Sequence, residues 1–196
     1  MNNIIFRSVN MTYEIEDKKV EVFKDFNLEI NPKEITVIIG KSGCGKTTLL
    51  RLIAGLETPT AGEIIIPDEL KIGMMFQEAR LMPWLTAEGN VLLGIKDKNR
   101  EKAREILKLV GLKGFEKAYP SQLSGGIGLR VALARTLIRN SNLVLMDEPF
   151  GALDAITRGK MQQELLRIKE ETGMGIIFVT HDINEATLIG DKIVTI

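Results

Sequence analysis

The chain has 196 residues, 44% of them hydrophobic, which is one domain of ordinary to large size, able to bury a core without disulfides or a structural metal. Lys plus Arg and Asp plus Glu number 26 each, so the formal net charge is zero and the basic footprint of a phosphate-backbone binder is missing; nucleic acid is not the expected partner. One cysteine, a start at Met1-Asn2-Asn3 without a basic and then apolar leader, and apolar runs far short of the ~20 residues that cross a bilayer imply a reducing cytoplasm, with any membrane crossing done by another chain.

In chain order, Ile4 to Glu14 and Val20 to Ile30 alternate partially around the polar turn Glu16-Asp17-Lys18-Lys19, which predicts an antiparallel edge. Ile35 to Ile39, Ile72 to Phe76, Leu143 to Met146, Ile176 to Val179 and Lys192 to Ile196 are apolar, β-branched runs that read as strands buried on both faces of a parallel sheet. Helical patterns separate most of them. Thr48 to Ala54 follows the first run, and Asn99 stands as N-cap to a helix with Ala103, Ile106, Leu107 and Val110 on one face and Gly111 as its stop. Thr157 to Thr172 repeats the logic with Met161, Leu165 and Ile168, stopped by Gly173. Between Glu78 and Asn140 no strand pattern occurs, so the chain reads as one α/β domain, residues 1–196, with a helical subdomain inserted at about 78–140.

Gly40-Lys41-Ser42-Gly43-Cys44-Gly45-Lys46-Thr47 fits G-x-x-x-x-G-K-[ST] and lies between a strand and a helix. Glycines let the backbone wrap a phosphate with its N–H groups inward, the helix dipole adds positive charge, Lys46 reaches the β and γ oxygens, and the Thr47 hydroxyl ligates Mg²⁺. Thr48 follows within the same cradle, and Cys44, in the field of the helix and Lys46, is either a reactive thiol or a small side chain filling the loop. The strand Leu143 to Met146 ends in Asp147 and Glu148, placed by strand alternation for separate roles: Asp147 in the metal shell, Glu148 to polarise an attacking water. Leu123-Ser124-Gly125-Gly126 opens another helical run, Ile127 to Ile138. It is either an ordinary serine cap or a second anion site, serving a second ligand or the γ-phosphate of a nucleotide held by another copy.

Taken together these motifs resemble the ATP-binding subunit of ATP-binding cassette (ABC) transporters, in the family's order and over essentially the whole chain. Beside the Walker A loop, Gly40 to Thr47, and the Walker B strand, Leu123 to Gly126 is similar to the signature motif, Gln77 to the Q-loop glutamine, Ala152-Leu153-Asp154 to the D-loop, and His181, the one histidine, to the switch histidine. Tyr13 is similar to the A-loop aromatic that stacks on adenine. The resemblance implies a P-loop NTPase fold with a RecA-like parallel core, an antiparallel layer and an inserted helical subdomain. It implies ATP and Mg²⁺ as ligands, Glu148, His181 and Gln77 as catalytic groups, and Thr47, Gln77 and Asp147 around the metal. It further implies a head-to-tail, ATP-dependent homodimer in which Ser124, Gly125 and Gly126 close over the γ-phosphate of the other copy, and it counts Asp154 of the D-loop among the nucleotide-binding residues. Integral membrane permease subunits, an extracytoplasmic solute-binding protein and a peripheral place on the cytoplasmic face of the membrane belong to the same expectation.

The segment Gln77 to Thr86 with Asn90-Val91, and Phe150 to Arg158, resemble the branch serving importers of nitrate, sulfonate and taurine-type solutes. Leu81, Met82, Trp84 and Leu85 within it read either as core of the helical subdomain or as a groove for a cytoplasmic helix of the membrane subunit. The family's signature continues with polar residues, whereas here Ile127-Gly128-Leu129 precede Arg130, from which a looser first turn and weaker closure on ATP are expected. That departure motivates a second reading, a slow nucleotide-gated binding module. Related cassettes that act on DNA or ribosomes carry a long coiled coil or a second cassette, and neither is present in this sequence. Family members commonly continue well beyond the last strand, so either a short subunit or a truncated form is expected.

Overall fold

The computed structural model describes residues 2–16 and 18–196; Asp17 of the polar turn, and Met1, lie outside them. β1 (Ile4–Ile15) and β2 (Lys18–Ile30) pair antiparallel, from Ile4 opposite Ile30 to Ile15 opposite Lys18. The pair carries register shifts, pinned where Asn27 Oδ1 accepts from the Ser8 amide and Asn10 Oδ1 from the Asp25 amide. A strand not anticipated from sequence, β4 (Ala61–Ile65), joins the other edge of β1 to give the order β2-β1-β4.

The parallel sheet has the order β5-β6-β7-β3-β8, from β3 (Ile35–Ile39), β5 (Ile72–Met75), β6 (Leu143–Asp147), β7 (Gly175–Thr180) and β8 (Lys192–Thr195). Alternation along the inner strands divides the apolar side chains between two cores. Ile38, Leu143, Leu145, Ile177 and Val179 face α1 (Lys46–Ile53) and the antiparallel layer, where Phe6, Phe23, Leu49 and Ile53 meet them. Val37, Val144, Met146, Ile176 and Phe178 face the opposite side, which is covered by α4 (Gly125–Leu137), α5 (Ala155–Thr172) and α6 (Ile183–Ile189). The expectation of burial on both faces fails for Lys192 to Ile196: β8 pairs only with β3 and is largely exposed, an edge strand whose apolar run is local. Ile72 to Phe76 is the opposite edge, half-buried in alternation.

From β5 to β6 the described chain is α2 (Ala87–Val91), α3 (Arg100–Leu109), a short 3-10 turn and α4, with no strand between. Asn99 caps α3 by accepting from the Lys102 amide, and Gly111, at φ +73°, follows its end. Arg167 on α5 locks this layer, donating to Glu164, Glu171 and the Leu109 carbonyl. Its bonds hold the Glu164 carboxyl below the ordinary 4.5, so the contribution is present above about pH 4.5 and fades as pH falls further. Glu164→Gln should therefore lower the melting temperature at pH 7 by an amount equivalent to about 1 kcal/mol, and the difference from the parent should close in acid melts. An equal deficit at every pH would contradict this.

Leu129, which stands where the family's signature has a polar residue, is 5% exposed and packs in the core cluster with Met75, Leu133, Met146 and Phe150. Leu129→Gln should cost about 2 kcal/mol or more by burying an amide without partners. A Cβ at Gly128 would sit 3.7 Å from the Ala79 Cβ and 3.8 Å from Leu81 Cδ1, ordinary contacts, so Gly128→Ala should stabilise by about 0.5–1 kcal/mol. Chemical denaturation of the two variants checks both signs.

Candidate functional site

The loop after β3 turns through Gly43 (φ +82°) and Gly45 (φ +104°) into α1. At Gly45 a side chain is excluded twice over, by the positive φ and because a Cβ would lie 2.5 Å from Val22 Cγ1. Gly45 caps α1 without a side-chain acceptor, which leaves first-turn amides to bind an anion. Lys46, 7% exposed, donates from Nζ to the Gly40 carbonyl at 2.8 Å and the Lys41 carbonyl at 2.9 Å, so its ammonium is held over the loop.

Thr47, one residue on, points across to β6, where its hydroxyl donates to Asp147 Oδ2 at 2.9 Å. Among the described residues no group of three or more His, Cys, Asp or Glu side chains could hold a metal. A cation between Thr47 and Asp147 would thus have two hard protein oxygens and take the rest from phosphate and water, a donor set that fits Mg²⁺.

Glu148 has φ +43°, an uncommon backbone for a glutamate, fixed by its amide donating to the Val179 carbonyl and its own carbonyl accepting from Gly151. Its side chain meets His181, with Oε2 3.1 Å from Nδ1. Two adjoining cavities of about 340 and 490 Å³ share Ser42 and Glu148. The first is lined by Tyr13, Val22, Gly43 and Gly45 to Thr48, the second by Gly40, Lys41 and His181. Glu148 therefore stands where both open onto the loop.

Tyr13 is on β1 with its ring in the first cavity wall; its hydroxyl bonds Thr48 Oγ1 at 3.2 Å and the Glu57 carboxylate, and burial together with Glu57 raises its pKa. Glu57, which also pairs Arg51, was not foreseen, because nothing in its spacing marks it. Gln77 is exposed and separated from the end of β5 by one residue, Phe76, which lies under the Arg80 guanidinium at 4.1 Å. A Cβ on Gly151 would be 3.7 Å from Gln77 Nε2 and 3.8 Å from Glu148 Oε2, so the two side chains converge there. Arg135 of α4 donates to the Ala79 and Arg80 carbonyls at 2.9 Å each and ties that segment to the helix; burial lowers its pKa.

Ser124 and Asp154 lie apart from these cavities. Ser124 caps α4 by accepting from Ile127, and Gly125 and Gly126 pack near Leu153 and Thr157. Asp154 caps α5, accepting from the Ile156 and Thr157 amides at 3.0 Å, and Thr157 is the main cause of its lowered pKa. Cys44 is half-buried in the loop itself.

Residues 23–151, about two thirds of the chain, match the family model described as ABC transporter. The chain belongs to the ABC transporter family. It is 50% identical over 175 residues to the aliphatic sulfonates import ATP-binding protein SsuB 1 of Shouchella clausii, covering 89% of this chain and 71% of the relative. The taurine import ATP-binding protein TauB of Pelagibacter ubique is 42% identical over 206 residues, 98% of this chain and 78% of that one. Among solved structures, the dimeric post-hydrolysis state of the ATP-binding cassette MJ0796 bound to ADP and Pi superposes with a TM-score of 0.83 at 36% identity, over 98% and 94% of the two chains. The expected fold and the ATP-binding, ATP-hydrolysing character of an ABC subunit therefore hold. No helix among the described residues is long and apolar enough to cross a membrane.

Proposed function

We propose that this ABC ATPase drives uptake of a small sulfonate or taurine-type anion through separate membrane subunits. The observation that carries the chemistry is the pair of contacts flanking the P-loop, Thr47 with Asp147 and Glu148 with His181. ATP lies with its phosphates on the loop amides and Lys46, and its adenine against Tyr13. Thr47 and Asp147, with Gln77 near, would hold Mg²⁺, which when bound would supply positive charge to the phosphates. Glu148 accepts a proton from the attacking water, and His181 holds Glu148 and the γ-phosphate in register. Two copies close head to tail, Ser124 to Gly126 and the Asp154 turn of each reaching the other's γ-phosphate, because within one chain Ser124 packs away from the P-loop cavities.

The helical segment at about 78–140 meets the membrane partner. Asn90, fully buried, accepts from the Met82 amide and donates to the Met82, Leu85 and Thr86 carbonyls, so the loop that carries Trp84 is rigid. Trp84 is 71% exposed and walls a groove of about 530 Å³ lined also by Leu85, Leu92, Tyr119, Lys98 and Arg100. An exposed indole on a fixed loop favours a docked helix over a core role for Trp84, whereas Leu81 packs against the core. A permease and an extracytoplasmic solute-binding protein complete the system at the cytoplasmic membrane. Cells carrying Trp84→Asp should fail to grow on taurine or a short alkanesulfonate as sole sulfur source yet grow normally on sulfate, while the purified variant hydrolyses ATP like the parent. Undiminished growth on the sulfonates would contradict the proposal.

A further inference from the structure

The turn that carries His181 is two residues long, between Thr180 at the end of β7 and Ile183 at the start of α6, and the imidazole itself is largely exposed. Its aim must come from the residues on either side. Beneath it three polar side chains are packed with almost no access to water: Thr180 at 3%, Gln162 at 6% and Glu185 at 7% exposure. Thr180 Oγ1 donates to Glu185 Oε2 at 2.5 Å and accepts from the Asp182 amide at 3.1 Å, so a single hydroxyl spans the histidine from the residue before to the residue after. Gln162 Nε2, from α5, donates to Glu185 Oε1 at 3.0 Å. A buried carboxylate is costly unless its oxygens are bonded. Here one oxygen is bonded to the residue before His181, the other to a helix whose own start is the Asp154 turn.

We propose that Glu185, with Gln162, is a positioning residue for His181, acting through the Thr180 hydroxyl; this rests on the reading of His181 given above. The link fixes the backbone at 180–182 and with it the approach of Nδ1 to Glu148. A second contact from α5 reinforces it, since Arg158 donates to the Leu153 carbonyl at 3.0 Å and lies 3.8 Å from Asp182 Oδ2. None of these groups need touch ATP. Their loss should change the rate of hydrolysis and leave nucleotide affinity alone.

The experiment measures kcat, KM for MgATP, ATP affinity and melting temperature for Thr180→Val, Thr180→Ser and Gln162→Met, each also combined with His181→Ala. Thr180→Val should lower kcat about 10- to 100-fold, the scale of an ångström-size misplacement, with KM and affinity within about twofold. Thr180→Ser, which keeps the hydroxyl, should restore the parent rate, and Gln162→Met should cost about three- to tenfold in kcat. On the His181→Ala background neither change should slow turnover further, because both act through the lost ring. Parent-like kcat for Gln162→Met would overturn the proposal even if Thr180→Val does not fold. So would a further loss on the His181→Ala background, or a Thr180→Ser variant as slow as Thr180→Val. If His181→Ala itself turns over like the parent, the role given to His181 is wrong and the proposal falls with it, whereas an impaired His181→Ala beside unaffected Thr180→Val removes the link alone.

Discussion

Glu148→Gln should bind MgATP within about twofold of the parent and hydrolyse it about 10² to 10⁴ times more slowly, the usual contribution of a positioned general base. The glutamine keeps the shape and the neighbourhood of His181 Nδ1, 3.1 Å from Glu148 Oε2, but cannot accept a proton from water. Asp147 is no substitute, since its Oδ2 is engaged by the Thr47 hydroxyl on the P-loop side. Asp147→Asn should accordingly weaken the Mg²⁺ dependence of binding, which separates the two carboxylates by readout. Single-turnover phosphate release together with equilibrium binding measures both quantities, and a Glu148→Gln variant turning over like the parent would remove Glu148 from the role.

Lys46→Ala acts one step earlier, on binding. The ammonium holds two loop carbonyls, Gly40 and Lys41, and is the part of the cradle that backbone amides cannot replace. Losing two or more charge-assisted hydrogen bonds at about 1.5–3 kcal/mol each predicts a fall in ATP affinity of about 10²-fold or more. Titration calorimetry reads it directly, with a melting curve to show the variant is folded. Undiminished affinity would count against the P-loop as the phosphate site.

The inner strands were legible because a strand covered on both faces needs an unbroken apolar run, and Leu143 to Met146 and Ile176 to Val179 are such runs. Lys192 to Ile196 has the same composition at an edge, where burial is set by what lies beside it and not by the run itself. Ala61 to Ile65 gives no such signal, because Ala, Gly and Glu are poor strand formers and its partners on β1 lie 51 to 60 residues earlier in the chain. Helices of five and seven residues, α2 and α6, are too short to show a period. At the site, Thr47 and Asp147 were joined across 100 positions by motif alone, because the chemistry fixes the residue types and their places on strand ends. Glu57, Arg158, Gln162 and Glu185 carry no such spacing; their roles depend on which helix faces which turn. Leu129, where the family's signature has a polar residue, lies in the core once α4 is seated on the sheet, a burial its place in the motif does not show.

The central claim, that the site is divided between a P-loop in one copy and Ser124 to Gly126 in another, is tested most directly by the solution mass of Glu148→Gln under saturating MgATP, with and without a second change, Ser124→Arg. Light scattering should show the mass doubling from 21.8 kDa when MgATP is added to Glu148→Gln, and no doubling when Ser124→Arg is also present, although the monomer still binds ATP with the parent monomer's affinity. An ATP-loaded Glu148→Gln protein that stays monomeric, or a doubling indifferent to Ser124→Arg, would contradict it.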